Sequence, residues 1–296
     1  MAELPKYISP LERDWRDYIP SVVQFNKVLQ GRVADFLKDK LGEGGGYAVL
    51  TTGSDGRLEK GPVSRVEFLV LVGDSQRKSE IMGSVNDTIR AHNGFLFDED
   101  VEVKDLSSDS MNRYNNDALR VYPMRIVDAV QLFGDSRLFG DAKMKLLNEW
   151  LGDEGTNLQS RCRQKKSEYK KVSATGKQRF NKDITTTHFD LETGVSFYNP
   201  GEVGHAPQSF KMGPLRYIQF AIMQDIMRYC RVDSNYEKAL TLLDRLPQNT
   251  AEKLFFLEAD NLASLSHSEV SDLAGNYNYF LWLYHLSQQA QKDSNR

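Results

Sequence analysis

A Gly-Ser pair, followed by a carboxylate on an apolar strand, is the part of this sequence best suited to chemistry. Gly53 and Ser54 stand in the turn-rich run Thr51-Thr52-Gly53-Ser54-Asp55-Gly56-Arg57, and Glu67 is the second residue of the apolar run Val66 to Val72 (VEFLVLV). Backbone N–H groups at such a turn, with a hydroxyl beside them, can hold a phosphate. Glycine also lets a triphosphate come close to the main chain. Side chains alternate along a strand, so positions 65 and 67 project from one face. Two carboxylates there could hold magnesium beside a triphosphate, neutralising its charge and orienting an attacking hydroxyl. The chain supplies Arg65 and Glu67. A carboxylate on a buried strand is costly unless paired, so Glu67 requires a metal, Arg65 or another cation. An Arg65–Glu67 ion pair is the plain structural alternative to metal binding.

These residues need elements to position them. Val22, Phe25, Leu29, Val33, Phe36, Leu37 and Leu41 have helical spacing within 20–41, and Gly42 with Gly44-Gly45-Gly46 stops that helix. Tyr47 to Leu50 reads as a strand leading into the Gly-Ser turn. The near-continuous apolar run 66–72 reads as a strand buried on both faces. Residues 74–91 suit a helix, and 95–97, 101–103 and 119–122 are short strand candidates. After Pro123 the spacing of Ile126, Val127, Val130, Leu132, Phe133, Leu138, Met144, Leu147 and Trp150 predicts helices, which dominate from there on. The fold class expected is α+β: a mixed α/β domain over 1–135, then an all-helical domain over 136–296. Residues 193–208, rich in Gly and Pro, read as a loop.

Composition narrows the function classes. Among 296 residues, 38 bases nearly balance 41 acids, giving a net charge of −3, which excludes binding of nucleic acid or anionic membrane by bulk charge. Acids gather around Asp98 to Asp109 and bases between Arg161 and Lys182, an arrangement suited to a small magnesium–triphosphate. The basic run reads first as a solvated helix face. No apolar stretch is long enough for a membrane helix, and Met1 to Pro10 lacks a secretory pattern. Two cysteines, Cys162 and Cys230, are too few for a disulfide framework or cysteine zinc site and fit a reducing, cytoplasmic setting. The five histidines show no metal spacing, and each reads as a solvated or core residue. The aromatic run from Tyr277 to Tyr284 reads as a helix packed into the core.

The segment TTGSDGRLEKGPVSRVEFLVLV resembles the nucleotidyltransferase signature of the DNA polymerase β-like superfamily. The likeness is to the branch of bacterial nitrogen-regulatory uridylyltransferases and related signalling nucleotidyltransferases. Its pattern runs Gly-Ser-x-x-Arg-x-Glu, a short gap, then Ser-Asp-x-Asp before an apolar strand; Gly53, Ser54, Arg57, Glu59 and Ser64 stand at matching places. Residues 122–139 (YPMRIVDAVQLFGDSRLF) resemble a helix that ends in the family's Leu-x-Gly-Asp turn. Residues 211–219 (KMGPLRYIQ) resemble a Lys-x-Gly-x-Leu-Arg-x-Ile-Gln segment of its helical domain.

The resemblance implies transfer of a nucleoside monophosphate from a nucleoside triphosphate to a hydroxyl of a protein or small molecule. Gly53 and Ser54 would hold the triphosphate, and Arg57 would stabilise its charge. Glu67 and Glu102 would bind Mg2+ or Mn2+, with Asp98 and Asp100 as alternatives to Glu102. Lys211 and Arg216 would assist from the helical side.

One departure stands out: Arg65 replaces the first family aspartate, and arginine has no acceptor atom for a metal. Two unit charges about 4 Å apart at an effective dielectric near 20 interact by about 4 kcal/mol, and a divalent ion roughly doubles that. Three explanations follow. The site is degenerate and the protein is a nucleotide- or protein-binding regulator; or Arg65 contacts phosphate itself; or Asp55 or Glu59 supplies the missing ligand.

Overall fold

A computed structural model of the chain describes residues 8–61, 66–90, 101–105, 126–151, 215–233, 236–262 and 265–294. The architecture is α+β. Helix α1 (Trp15–Leu41) starts where the Asp14 carboxylate accepts the Arg16 N–H, and ends where Gly42 takes φ 68°. It begins earlier than the apolar spacing predicts, because its first residues rest on that cap. Strand β1 (Tyr47–Thr51) leads through a single helical turn, α2 (Gly53–Gly56), toward β2 (Val66–Val72). A short 3-10 turn, Ser75–Arg77, enters α3 (Lys78–Arg90), followed by β3 (Val101–Asp105) and β4 (Val130–Gly134). Thereafter the described elements are helices: α4 (Ser136–Leu151), α5 (Arg216–Asp233), α6 (Tyr236–Arg245), α7 (Thr250–Ala259) and α8 (His267–Ser294). Among the described residues no helix is long and apolar enough to cross a membrane.

The sheet has the order β3-β2-β1-β4, with β1 antiparallel to both β2 and β4, and β3 parallel to β2. Alternation divides its side chains between two cores. Val49, Phe68, Val70 and Phe133 pack against Leu29, Val33 and Leu37 of α1 and Ile81, Val85 and Ile89 of α3. Ala48, Leu50, Leu69 and Leu71 face the other way, toward Leu146 of α4, Ile222 and Ile226 of α5 and Tyr277 of α8. Strand β2 is therefore covered on both faces, as its apolar run predicts.

One element differs from expectation. The helix predicted over Val130 to Phe133 gives way to strand β4, which pairs with β1, while Ile126 and Val127 are helical. Apolar residues at 130, 132 and 133 fit either period, and the free edge of β1 decides between them. Gly134 permits the close approach: its φ is 96°, and a Cβ there would lie 2.2 Å from the Tyr47 carbonyl oxygen. The Leu-x-Gly-Asp turn thus ends a strand, and α4 starts after it, with Asp135 accepting the Arg137 N–H. All described strands precede position 135/136, but the core is continuous across it. Tyr18, Ile19 and Val22 of α1 share one cluster with residues of α4 to α8.

Candidate functional site

The C-terminal end of β1 delivers the Gly-Ser turn against β2. Thr52 is extended and donates its N–H to the Glu67 carbonyl at 3.3 Å. Gly53 then takes φ 66°, a conformation that glycine adopts without the Cβ penalty. A Cβ on Gly53 would lie 3.3 Å from Glu67 Oε2, so the turn backbone and the carboxylate are immediate neighbours. Glu67 is half-buried, and its carboxylate forms no hydrogen bond or ion pair among the described residues. On the other side of β2, Glu67 is the register partner of Glu102 on β3. Gly53→Ala is expected to lower stability by about 1–2 kcal/mol in urea unfolding, through its left-handed backbone. Gly31→Ala, at an open position of α1 with nothing within 4 Å, is expected to raise stability by about 0.5–1 kcal/mol.

Behind the turn lies a buried ring of charge. Arg57 donates from Nε to Glu59 Oε2 at 2.8 Å and from Nη1 to Asp128 Oδ2 at 2.7 Å. Lys253 donates to Asp128 Oδ1 at 2.7 Å. Glu59 Oε1 accepts the Thr250 N–H at 2.9 Å, which places the carboxylate at the N-terminus of α7, where a negative charge is favoured. Its Oε2 also accepts the Tyr277 hydroxyl at 2.7 Å, and Gln219 donates to Tyr277. Two cations and two anions balance within this ring.

Electrostatics follow from that pairing. Burial alone would lower the Arg57 pKa, but Asp128 and Glu59 hold it well above its ordinary value. Burial likewise opposes the Asp128 charge, yet Lys253 and Arg57 prevail and keep its carboxyl below the usual range. Burial, then Glu59, pushes the Tyr277 phenol up. His285 bridges the same region: its Nε2 lies 3.1 Å from the Glu59 carbonyl and its Nδ1 3.0 Å from the Tyr18 hydroxyl. A carbonyl only accepts, so Nε2 carries the proton and Nδ1 accepts from Tyr18.

The chain matches no family model and no curated protein.

Of the predicted site residues, Gly53, Ser54 and Glu67 come together at one end of the two central strands, with Glu102 in register with Glu67. The side chains of Glu102 and Arg216 lie outside the described structure, as do Arg65, Asp98, Asp100 and Lys211 entirely. Arg216 opens α5. The structure gives Arg57 a different task from the expected phosphate contact: it is 7 % exposed, and two carboxylates of the chain engage its guanidinium. Glu59, weighed as a replacement metal ligand, has both oxygens occupied by Arg57, Tyr277 and Thr250. Among the described residues no group of three or more His, Cys, Asp or Glu is placed to hold a metal. His267 is exposed beside Glu258, His285 is buried, and burial pushes the Cys230 thiol up to about 12.

Sequence reasoning missed Asp128, Lys253 and Tyr277. Asp128 lies inside the segment 122–139 that resembles the family, and Lys253 interrupts the apolar helix TAEKLFFLEA; a charge on a buried face was the available signal. Tyr277 was legible as core, but its hydroxyl partner was not. In contrast to the ring, the Arg137–Asp135 pair is surface-exposed on its arginine side. Arg137→Ala is expected to leave the urea midpoint unchanged within error.

Proposed function

We propose that the protein is a nucleotidyltransferase. It would transfer a nucleoside monophosphate from a nucleoside triphosphate to a hydroxyl of a protein or small molecule. The acceptor oxygen forms a bond to the α-phosphorus, the bond to the β-phosphate oxygen breaks, and pyrophosphate leaves with the acceptor's proton released to solvent. The observation that carries this reading is the meeting of the Gly53 backbone with the Glu67 carboxylate, itself in register with Glu102. A small mixed sheet with the Gly-Ser turn between its first two strands also supports it.

Gly53 and Ser54 would bind the triphosphate through backbone N–H groups and the serine hydroxyl. Glu67 and Glu102 offer hard carboxylate oxygens, the donor type that Mg2+ and Mn2+ take, and Glu67 has no competing partner among the described residues. When bound, such an ion neutralises phosphate charge and favours attack by the hydroxyl. Arg57 and Glu59 would hold the turn in shape and leave the phosphates to the backbone.

Arg65, standing where the resembling family has its first aspartate, favours a second reading: a regulator that binds the nucleotide without transferring it. Incubation with each labelled nucleoside triphosphate, Mg2+ or Mn2+ and cell extract separates the two. Incorporation that falls at least about 100-fold in Glu67→Ala supports transfer, since loss of a metal ligand removes several kcal/mol of transition-state stabilisation. Bound nucleotide without incorporation supports the regulator. Neither binding nor incorporation rejects both.

A further inference from the structure

We infer that Lys253, on α7, is a positioning residue that sets the geometry of the Gly53-Ser54 turn from the helical part of the molecule. Its importance for nucleotide binding rests on the proposed function; its structural role does not.

The ring around Arg57 begins and ends on the same helix. Lys253 binds Asp128 Oδ1, Asp128 Oδ2 binds Arg57 Nη1, Arg57 Nε binds Glu59 Oε2, and Glu59 Oε1 takes the Thr250 N–H. Thr250 and Lys253 stand three positions apart, one turn of α7, so both ends of the chain of contacts move as one body. All four charged side chains are at least nine-tenths buried. Little water screens them, and each such bond is stronger than a neutral one.

Arg57 and Glu59 in turn hold the residues proposed to receive phosphate. The Arg57 N–H donates to the Gly53 carbonyl at 3.1 Å, and the Glu59 N–H donates to the Ser54 carbonyl at 2.7 Å. Gly56 lies against the Asp128 backbone so closely that a Cβ would meet its carbonyl oxygen at 2.0 Å. On the opposite side, α1 offers neutral amide contacts: Asn26 to the Leu58 and Lys60 carbonyls, and Gln30 to that of Asp55. The turn is therefore held between neutral amides of α1 and a charged jaw that α7 joins through Lys253 and Thr250, with Tyr277 and His285 of α8 also on Glu59. Lys253 is the member of that jaw that joins Asp128 to the helix, with a second bond from its Nζ to the Gln248 carbonyl at 3.1 Å.

The test compares full-length Lys253→Met with Leu257→Ala, which removes a buried apolar side chain from the same helix but leaves the ring intact. Amide hydrogen exchange is read over residues 53–61 in denaturant conditions that match the global stability of the two variants. The positioning role predicts exchange at Arg57 and Glu59 at least about tenfold faster in Lys253→Met, with protection regained in Lys253→Arg. Equal acceleration in both variants would overturn it. If Lys253→Met does not fold, the neutral pair Lys253→Met with Asp128→Asn takes its place, with the same expected result.

A second arm measures binding of each Mg2+–nucleoside triphosphate, expected to weaken about tenfold in Lys253→Met and less in Leu257→Ala. Faster exchange with unchanged affinity would limit Lys253 to a structural role and overturn its link to the ligand. Wild-type protein that binds no triphosphate would defeat the proposed function, while the exchange comparison still decides the role of Lys253.

Discussion

Asp128→Asn is expected to destabilise the fold by about 3–5 kcal/mol, the range seen when one partner of a buried ion pair is removed. The substitution keeps the shape of the side chain but leaves Arg57 and Lys253 without the carboxylate they share. Water reaches both cations poorly, since each side chain is under a tenth exposed. For a domain whose whole stability is about 5–15 kcal/mol, that loss is large enough to shift the urea midpoint far outside error. Adding Lys253→Met to Asp128→Asn removes one stranded cation, so the double variant should lose less than the sum of the two single losses. A coupling energy near zero in that cycle would mean the two groups do not act as a pair.

Acid should unfold the protein early, and His285 is the reason. Burial pushes its pKa from the ordinary 6.5 down to about 3, against a smaller opposing effect from the hydrogen bond to the Glu59 carbonyl. Above pH 6.5 the ring is neutral in both folded and unfolded chains, and this group leaves stability independent of pH. Between pH 6.5 and about 3 the unfolded chain takes up a proton that the folded chain excludes, so stability falls. Below about 3 both states carry the proton and the slope from His285 ends. At about 1.4 kcal/mol per unit, the upper bound on this loss is on the order of 5 kcal/mol. Local opening that wets the ring would reduce it. Asp128 adds a further loss below its ordinary value of 3.8, because its folded carboxyl is held lower by Lys253 and Arg57. Urea unfolding at pH 7.5, 5.5 and 4.5 reads the slope directly. His285→Gln should be less stable at pH 7.5 but nearly flat across that window. A slope unchanged by His285→Gln would assign it to other groups.

The parts of the fold legible in sequence were those with one dominant period. Helix α1 shows helical spacing and a glycine stop, and β2 shows a near-continuous apolar run; both stand where that pattern puts them, apart from the earlier start of α1. Strand β4 was illegible because its apolar residues satisfy two periods. Its state is set by an edge of β1 distant in sequence. The site divides in the same way. The Gly53 turn and Glu67 are close in sequence, and their contact follows from a strand, a tight turn and the return strand. The role of Arg57 was not legible, since its partner Asp128 comes from a segment 71 residues away and is itself held by Lys253 of α7. A buried arginine beside a phosphate-type turn has the same local sequence whether it meets a ligand or a carboxylate of its own chain.

On the proposed reading, the Gly53–Glu67 site binds a metal-bound nucleoside triphosphate. The most direct test of this is an equilibrium titration of the wild-type chain with ATP, GTP, CTP and UTP, each with Mg2+ and with EDTA, repeated for Glu67→Gln. At least one triphosphate should bind the wild type more tightly with Mg2+ than with EDTA, and Glu67→Gln should erase that difference. A folded wild-type chain that binds none of the four, or a metal dependence that survives in Glu67→Gln, would contradict the claim.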